Sequence, residues 1–235
     1  MDARELAERF AALGTAQVAD ACVRAGVPAR CAPAALGPVL PGTRLAGRAC
    51  PARHAGSVDV FLEAFERARP GDVLVADNGG RADEACVGDL VALEARGAGL
   101  AGILIWGLHR DTADLRAIGL PVFSLGSIPA GPLSPRPRAA GALESAMVGD
   151  WPVTGADLVL GDDDGVLFIP ADRAGDLIAL AEGIRDAEVA QAGQARAGVS
   201  LRAQFDFGGY LARREREPGL SFRDHLRGIG GAVEE

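Results

Sequence analysis

Asp89, Arg110, Asp111 and Asp114 form the most informative grouping of chemistry-bearing residues in the sequence. The pattern is Asp, twenty residues, Arg-Asp, two residues, Asp. Carboxylates are hard oxygen donors, and Mg²⁺ commonly takes one or two of them while keeping several waters. A guanidinium is planar and permanently charged, which suits a carboxylate or an enolate oxygen. Gly88-Asp89 opens a predicted helix, whose first N–H groups lack intrahelical partners and can bind an anion. Together these groups suit a 2-oxo acid. Metal and Arg110 would polarise the ketone, and the helix start would hold the carboxylate. Such a site stabilises an enolate as it forms. A second reading stays open. Asp at a helix start is commonly a cap, so Asp111 and Asp114 could cap a helix at 112–118 while Arg110 pairs with one of them at the surface.

The elements that must position these residues follow from apolar periodicity. Leu6, Phe10 and Leu13 sit at helical spacing within 2–13, and Thr15 caps a helix over 15–25. Residues 26–44 are rich in Pro and Gly and predict loop with short extended pieces. Residues 45–53 predict a strand and 57–69 a helix. Pro70-Gly71-Asp72 is a turn before the apolar run Val73-Leu74-Val75-Ala76, and Gly155-Ala156-Asp157 precedes Leu158-Val159-Leu160 in the same way. Short apolar runs after such turns suit buried strands. A helix over 88–96, a strand over 102–106, a helix over 112–118 and a strand over 121–125 complete an alternating α/β layer. Arg110-Asp111 then lies just past the carboxyl end of a strand, where ligands bind in such layers. Residues 126–150 read as a long surface loop. Strands at 158–160 and 166–169 and a helix over 171–191 follow. The division expected is 1–192 as one domain and 193–235 as an extended charged arm, anchored by Phe222 and Leu226 and packing on a neighbouring subunit.

Composition limits the chemistry. The chain has 235 residues, 49% hydrophobic and 24% charged, which is enough to bury a full core. Its net charge of −8 and 5% aromatic content argue against nucleic acid as a partner. All 24 basic residues are Arg. Without Lys, neither a Schiff base nor a Walker-type phosphate loop is available. Cys22, Cys31, Cys50 and Cys86 show no metal or redox spacing. The first residues lack a signal-peptide layout, and no apolar run reaches membrane-spanning length. The expected location is the cytoplasm, without membrane association.

Other motifs favour structural roles. Asp77-Asn78-Gly79-Gly80-Arg81 suits a tight turn with positive φ, although Arg81 could meet a second substrate carboxylate. Asp162-Asp163-Asp164-Gly165 starts like a calcium loop but has Arg173 at the twelfth position, so a hairpin turn is the better reading. Arg53-His54 reads as a satisfied structural pair, and His225 as exposed or at an interface.

The block GDVLVADNGGRADEACVGDLVALEARGAGLAGILIWGLHRDTADLRAIGLPVFSLG, with TAQVADAC before it and GADLVLGDDDGVLFIP after it, resembles the RraA-like family over roughly residues 10–190. That family includes the class II 4-hydroxy-4-methyl-2-oxoglutarate/4-carboxy-4-hydroxy-2-oxoadipate aldolases. The resemblance implies a layered α/β sandwich with a swivelling β/β/α core, assembled as homotrimers or homohexamers with sites between subunits. It implies Mg²⁺ or Mn²⁺ as cofactor and pyruvate released from a 4-hydroxy-2-oxo acid, or oxaloacetate decarboxylated. It assigns metal binding to Asp111, with Asp114 and Asp89 supporting through water. It gives Arg110 the pyruvate enolate, and the backbone around Gly88, Asp89 and Leu90 the carboxylate. An aldolase without Lys is of the metal-dependent kind. A methyltransferase role lacks a glycine-rich nucleotide fingerprint. The alternative role is a non-catalytic regulator binding a protein such as a ribonuclease. A specialised enzyme running the same enolate chemistry on another acid is a third reading. Where many members read Asp-Gly-Ala-Val-Arg-Asp, this chain has Trp106-Gly107-Leu108-His109-Arg110-Asp111. Trp106 either fills core space or reshapes the pocket. His109 either turns away from the site or carries protons beside the metal.

Overall fold

The structure is a computed structural model and describes residues 2–133 and 135–230. In chain order the elements begin with α1 (Ala3–Phe10), α2 (Thr15–Arg24), β1 (Arg30–Cys31), β2 (Gly37–Pro38), β3 (Leu45–Arg53) and α3 (Asp59–Arg67). Next come β4 (Val73–Asp77), β5 (Ala85–Val87), α4 (Asp89–Gly97), β6 (Gly102–Trp106), β7 (Leu108–His109), α5 (Thr112–Ile118) and β8 (Val122–Ser124). The chain continues through β9 (Ser145–Val148), β10 (Trp151–Thr154), β11 (Asp157–Asp162) and β12 (Gly165–Pro170). It ends with α6 (Ala174–Arg196), α7 (Leu201–Gln204), α8 (Phe207–Arg216) and α9 (Phe222–Gly228).

Two compact units emerge. One holds the residues up to Ala16 together with Ala29–Asp176. Its main sheet runs β1-β12-β11-β3-β4-β6-β8-β2. Strands β3, β4, β6 and β8 are parallel neighbours, and β11, β12 and β1 extend the sheet antiparallel from β3. The expected α/β layering is therefore present. Successive side chains of a strand point to opposite faces, and here both faces are covered. Leu74, Ala76, Ile103 and Ile105 join Phe61, Ala64, Ala92 and Ala95 of α3 and α4 in one core. Val73, Val75, Leu104 and Phe123 join Ala146, Val148, Val153 and Phe168 in the other. Covering on both sides explains why β4 and β6 read as continuous apolar runs. In register, Arg53, Asp77 and Trp106 line up at the carboxyl ends of β3, β4 and β6. A separate two-stranded parallel sheet, β5 with β7, leads into the site described below.

The expected loop over 126–150 needs correction. It contains β9, which pairs antiparallel with β10 and buries Ala146 and Val148. The tight turn at Asp162–Gly165 is a hairpin as expected, with Asp162 opposite Gly165. Asp162 is structural: it accepts 2.7 Å bonds from the Thr15 N–H and Oγ1 and a 3.0 Å bond from the Asp164 N–H.

The second unit comprises Gln17–Pro28 and the chain from Leu177 onward. The division between the units falls within α6, between Asp176 and Leu177, and the segment expected as an extended arm carries the helices α7, α8 and α9. Ser200, Asp206 and Ser221 cap α7, α8 and α9 with their side chains. Phe205, Phe207, Tyr210 and Phe222 form a ring cluster with centroids 5.0–6.1 Å apart, so the segment buries more against itself than its sparse apolar spacing suggests. His225 is buried, not exposed, and its Nε2 donates to the Phe205 carbonyl at 2.8 Å. Among the described residues no helix is long and apolar enough to cross a membrane.

Candidate active site

The β5–β7 pairing sets Val87 opposite His109, and the Arg110 N–H donates to the Val87 carbonyl at 3.0 Å. That register brings Gly88, the residue before α4, against Arg110 and Asp111, which lead into α5. The approach is close, and any larger residue at 88 would push the Asp111 carboxylate aside. A Cβ on Gly88 would fall under 3.0 Å from Asp111 Oδ2 and 3.2 Å from Arg110 Cγ. Gly131 is a second small residue here, since its Cβ would lie 2.7 Å from Arg110 Nη1.

Asp111 occupies the N-cap of α5 but makes no side-chain capping bond. Its carboxylate instead faces α4. Oδ2 lies 3.4 Å from the Asp89 N–H and 3.4 Å from Arg110 Nε. Its backbone is left-handed, φ 59°, a conformation that costs a side-chain-bearing residue about 1 kcal/mol. Local strain of this kind clusters at functional sites. Asp111 therefore does not cap α5 with its side chain, while the pairing with Arg110 that the second reading expected is present. A cavity of about 240 Å³ opens beside this pair, lined by Val87, Gly88, Asp89, Leu90, Arg110 and His54 among others.

Gly88, Asp89, Leu90 and Arg110 thus share one wall, with Asp111 against them. The Leu90 N–H is engaged by Asp89 Oδ1 at 2.8 Å, so an incoming carboxylate must displace that contact. Asp114 is exposed, one turn along α5. Among the described residues no group of three or more His, Cys, Asp or Glu side chains converges as a metal site. A cation here would have one or two carboxylates and water as ligands. The oxygen-only, anionic donors fit Mg²⁺ or Mn²⁺ in that mode.

His54 belongs to the site although no spacing signal connects it to residues 88–114. It is buried, stacks on Phe61 at 5.3 Å, and its Nδ1 donates to Asn78 Oδ1 at 2.9 Å. Burial holds its pKa below the usual histidine value, so the ring is neutral near pH 7. Asn78 also accepts from Arg136 Nη2 at 3.3 Å, and Arg136 meets the fully buried Glu84 at 3.0 Å.

His109 turns away from the cavity. Its Nδ1 lies 2.7 Å from Ser124 Oγ and its Nε2 3.0 Å from Thr112 Oγ1. Burial, reinforced by the Arg116 cation, holds its pKa down. The Asp77–Arg81 segment is the expected turn, with φ of 68° and 66° at Gly79 and Gly80. Trp106 is half-buried over Gly80, whose Cβ would lie 2.8 Å from the indole. Arg53, Arg81 and Arg136 line a neighbouring cavity of about 360 Å³, each already facing Asp77, Asp83 or Glu84.

Known proteins share this sequence family and fold. A protein from Halalkalibacterium halodurans, provisionally named a 4-hydroxy-4-methyl-2-oxoglutarate aldolase, is 35% identical over 109 residues, covering 46% of this chain and 51% of its own. The chain spans about half the length of the first curated relatives it matches, 51% and 57%. Among solved structures, an uncharacterised protein from Pseudomonas syringae pv. tomato superposes with a TM-score of 0.72 at 21% identity, covering 85% of this chain and 96% of that one. Streptomyces coelicolor RraAS2, described as an unusual member of the RNase ES inhibitor RraA protein family, superposes with a TM-score of 0.70 at 25% identity, covering 81% and 98%. The RraA-like (Aldolase/RraA) family model matches residues 15–168. With its layered α/β fold and a match across most of its length, the chain belongs to the RraA-like family.

Proposed function

We propose that the protein is a lyase acting on 2-oxo acids, by retro-aldol cleavage of a 4-hydroxy-2-oxo acid, by decarboxylation of oxaloacetate, or by both. The observation that carries this is Asp111: a strained, uncapped aspartate held beside the Arg110 guanidinium and packed closely over Gly88. The names of the curated relatives support the same chemistry. Asp111 and Asp114 would hold Mg²⁺ or Mn²⁺, which supplies a Lewis acid for the 2-oxo group. The helix start at Gly88–Leu90 offers backbone N–H groups to the substrate carboxylate. Arg110 would face the oxygen on which charge develops as the C3–C4 bond breaks and its electron pair passes into the pyruvate enolate, while the C4 hydroxyl gives its proton to water and becomes the product carbonyl or, with oxaloacetate, C4 leaves as CO2. Asp89, on the same wall, orients a water or the substrate hydroxyl. The expected working form is a homotrimer or homohexamer, checked by light scattering. Pyruvate release from oxaloacetate and from 4-hydroxy-4-methyl-2-oxoglutarate, with and without Mg²⁺, tests the proposal. Failure of the wild type on both acids, or undiminished release by Asp111→Ala, overturns it.

The likeness to RraAS2 favours a second reading, a regulator that binds a protein partner such as a ribonuclease. Calorimetry separates the two. Divalent-metal binding lost in Asp111→Asn supports the lyase, whereas a chain with no metal affinity and a tight ribonuclease complex supports the regulator. Turnover of a different 2-oxo acid alone would mark a specialised enzyme with the same chemistry.

A further inference from the structure

The residues on either side of the Arg110-Asp111 pair are tied to each other. His109 Nε2 and Thr112 Oγ1 meet at 3.0 Å, closing a ring across the two site residues between them. The other imidazole nitrogen is anchored to the main sheet, 2.7 Å from Ser124 Oγ on β8. Ser124 Oγ is itself fixed by the Gly126 N–H at 3.2 Å. The His109 main chain is held on both sides, its N–H donating to the Gly126 carbonyl and its carbonyl accepting from the Ile128 N–H, each at 3.0 Å. A neutral imidazole has one N–H and one lone pair, and a hydroxyl can donate or accept, so both ring contacts are satisfied together.

This arrangement accounts for something the cavity alone does not. Asp111 has no capping bond, and left-handed backbone is unfavourable for it, so surrounding contacts must impose that conformation. With residues 109 and 112 clasped on one face of the chain, the side chains of 110 and 111 are directed to the other, toward Gly88. Relaxing Asp111 to right-handed backbone rotates the chain on either side of it, and either the clasp or the β7 pairing must break.

We infer that His109, Thr112 and Ser124 form a hydrogen-bonded clasp that sets the position of Asp111, making them positioning residues for the site. The consequence for catalysis rests on the lyase reading; the consequence for Asp111 geometry does not. Thr112→Val removes the hydroxyl at nearly constant shape, and Thr112→Ser restores it. Groups that orient metal ligands typically affect affinity or activity by about 10–100-fold. Thr112→Val is expected to lower kcat and Mn²⁺ affinity by roughly tenfold or more, with KM changed less than kcat. Thr112→Ser is expected to recover both to within about threefold. Crystal structures of the two variants provide a readout independent of turnover: Asp111 leaves left-handed backbone in Thr112→Val and keeps it in Thr112→Ser. If Asp111 keeps its φ in Thr112→Val, the clasp is overturned, whatever the activity. If the φ changes while kcat and Mn²⁺ affinity do not, the catalytic consequence is overturned. A wild type that turns over no 2-oxo acid removes the lyase reading and leaves the clasp to be judged on the two structures.

Discussion

Replacing Gly88 with alanine isolates the site from the fold. Gly88 has φ −136° and ψ −165°, extended backbone that alanine adopts freely. Loss of glycine from the unfolded chain would by itself stabilise by about 0.4–1 kcal/mol. The added methyl, however, would sit under 3.0 Å from Asp111 Oδ2, whereas ordinary contact begins near 3.4 Å. The carboxylate must retreat by roughly 1 Å, and a misplacement of that size costs on the order of 10²-fold in rate. The expected result is a drop in kcat/KM of about 100-fold, equivalent to about 2.7 kcal/mol, with the urea midpoint almost unchanged. Pyruvate release and chemical denaturation, run on the same preparation, read the two quantities. Gly97→Ala, in α4 with open space around its Cβ, is the control and should leave activity unchanged while raising the urea midpoint slightly. Gly88→Ala activity within threefold of wild type would refute the proposed crowding. Loss of activity in step with a large loss of stability would mean that Gly88 matters for packing instead.

Three further outcomes follow from the structure. His54 and His109 both have folded pKa values held below the ordinary 6.5, chiefly by burial, so the unfolded chain takes up protons that the native chain refuses. Stability from these groups is present above about pH 6.5 and is lost as the pH falls below it, by at most about 1.4 kcal/mol per pH unit per histidine; urea unfolding between pH 7 and 5 should steepen, and His54→Phe should reduce the slope. Among the four thiols only Cys31 is exposed, Cys22 and Cys86 are buried, and burial with the Asp72 charge pushes Cys50 to about 11; titration with an aromatic disulfide at pH 8 should give one fast thiol, absent from Cys31→Ser. Asp162→Ala strands the Thr15 donors inside the fold and should cost about 3 kcal/mol by denaturation.

Much of the first unit is legible because its central strands are buried on both faces. Val73–Ala76 and Gly102–Trp106 announce themselves as uninterrupted apolar runs, and the Gly88-Asp89 helix start is a local signal. β9 is not legible in the same way. Ser145–Val148 alternates buried and open positions over only four residues, beyond a proline-rich stretch, and it becomes a strand because β10 is there to pair with it. The C-terminal helices escape for a related reason. Phe205, Phe207, Tyr210 and Phe222 have no simple helical period, and their stability comes from ring contacts between helices rather than from one amphipathic face. Within the site, the residue types at 88–90 and 110–114 are readable from spacing. The left-handed backbone of Asp111, its close approach to Gly88 and the presence of His54 are not, since each arises from contacts between segments far apart in the chain.

The division of the chain into two compact units gives it built-in spectroscopic reporters. Both tryptophans, Trp106 and Trp151, lie in the α/β unit, and the single tyrosine, Tyr210, lies buried in the helical one. Selective excitation of the indoles follows loss of order in the first, and a fluorine label on Tyr210 follows it in the second. One sample heated once would therefore yield two melting curves, and the gap between their midpoints tells whether the two units melt together or separately.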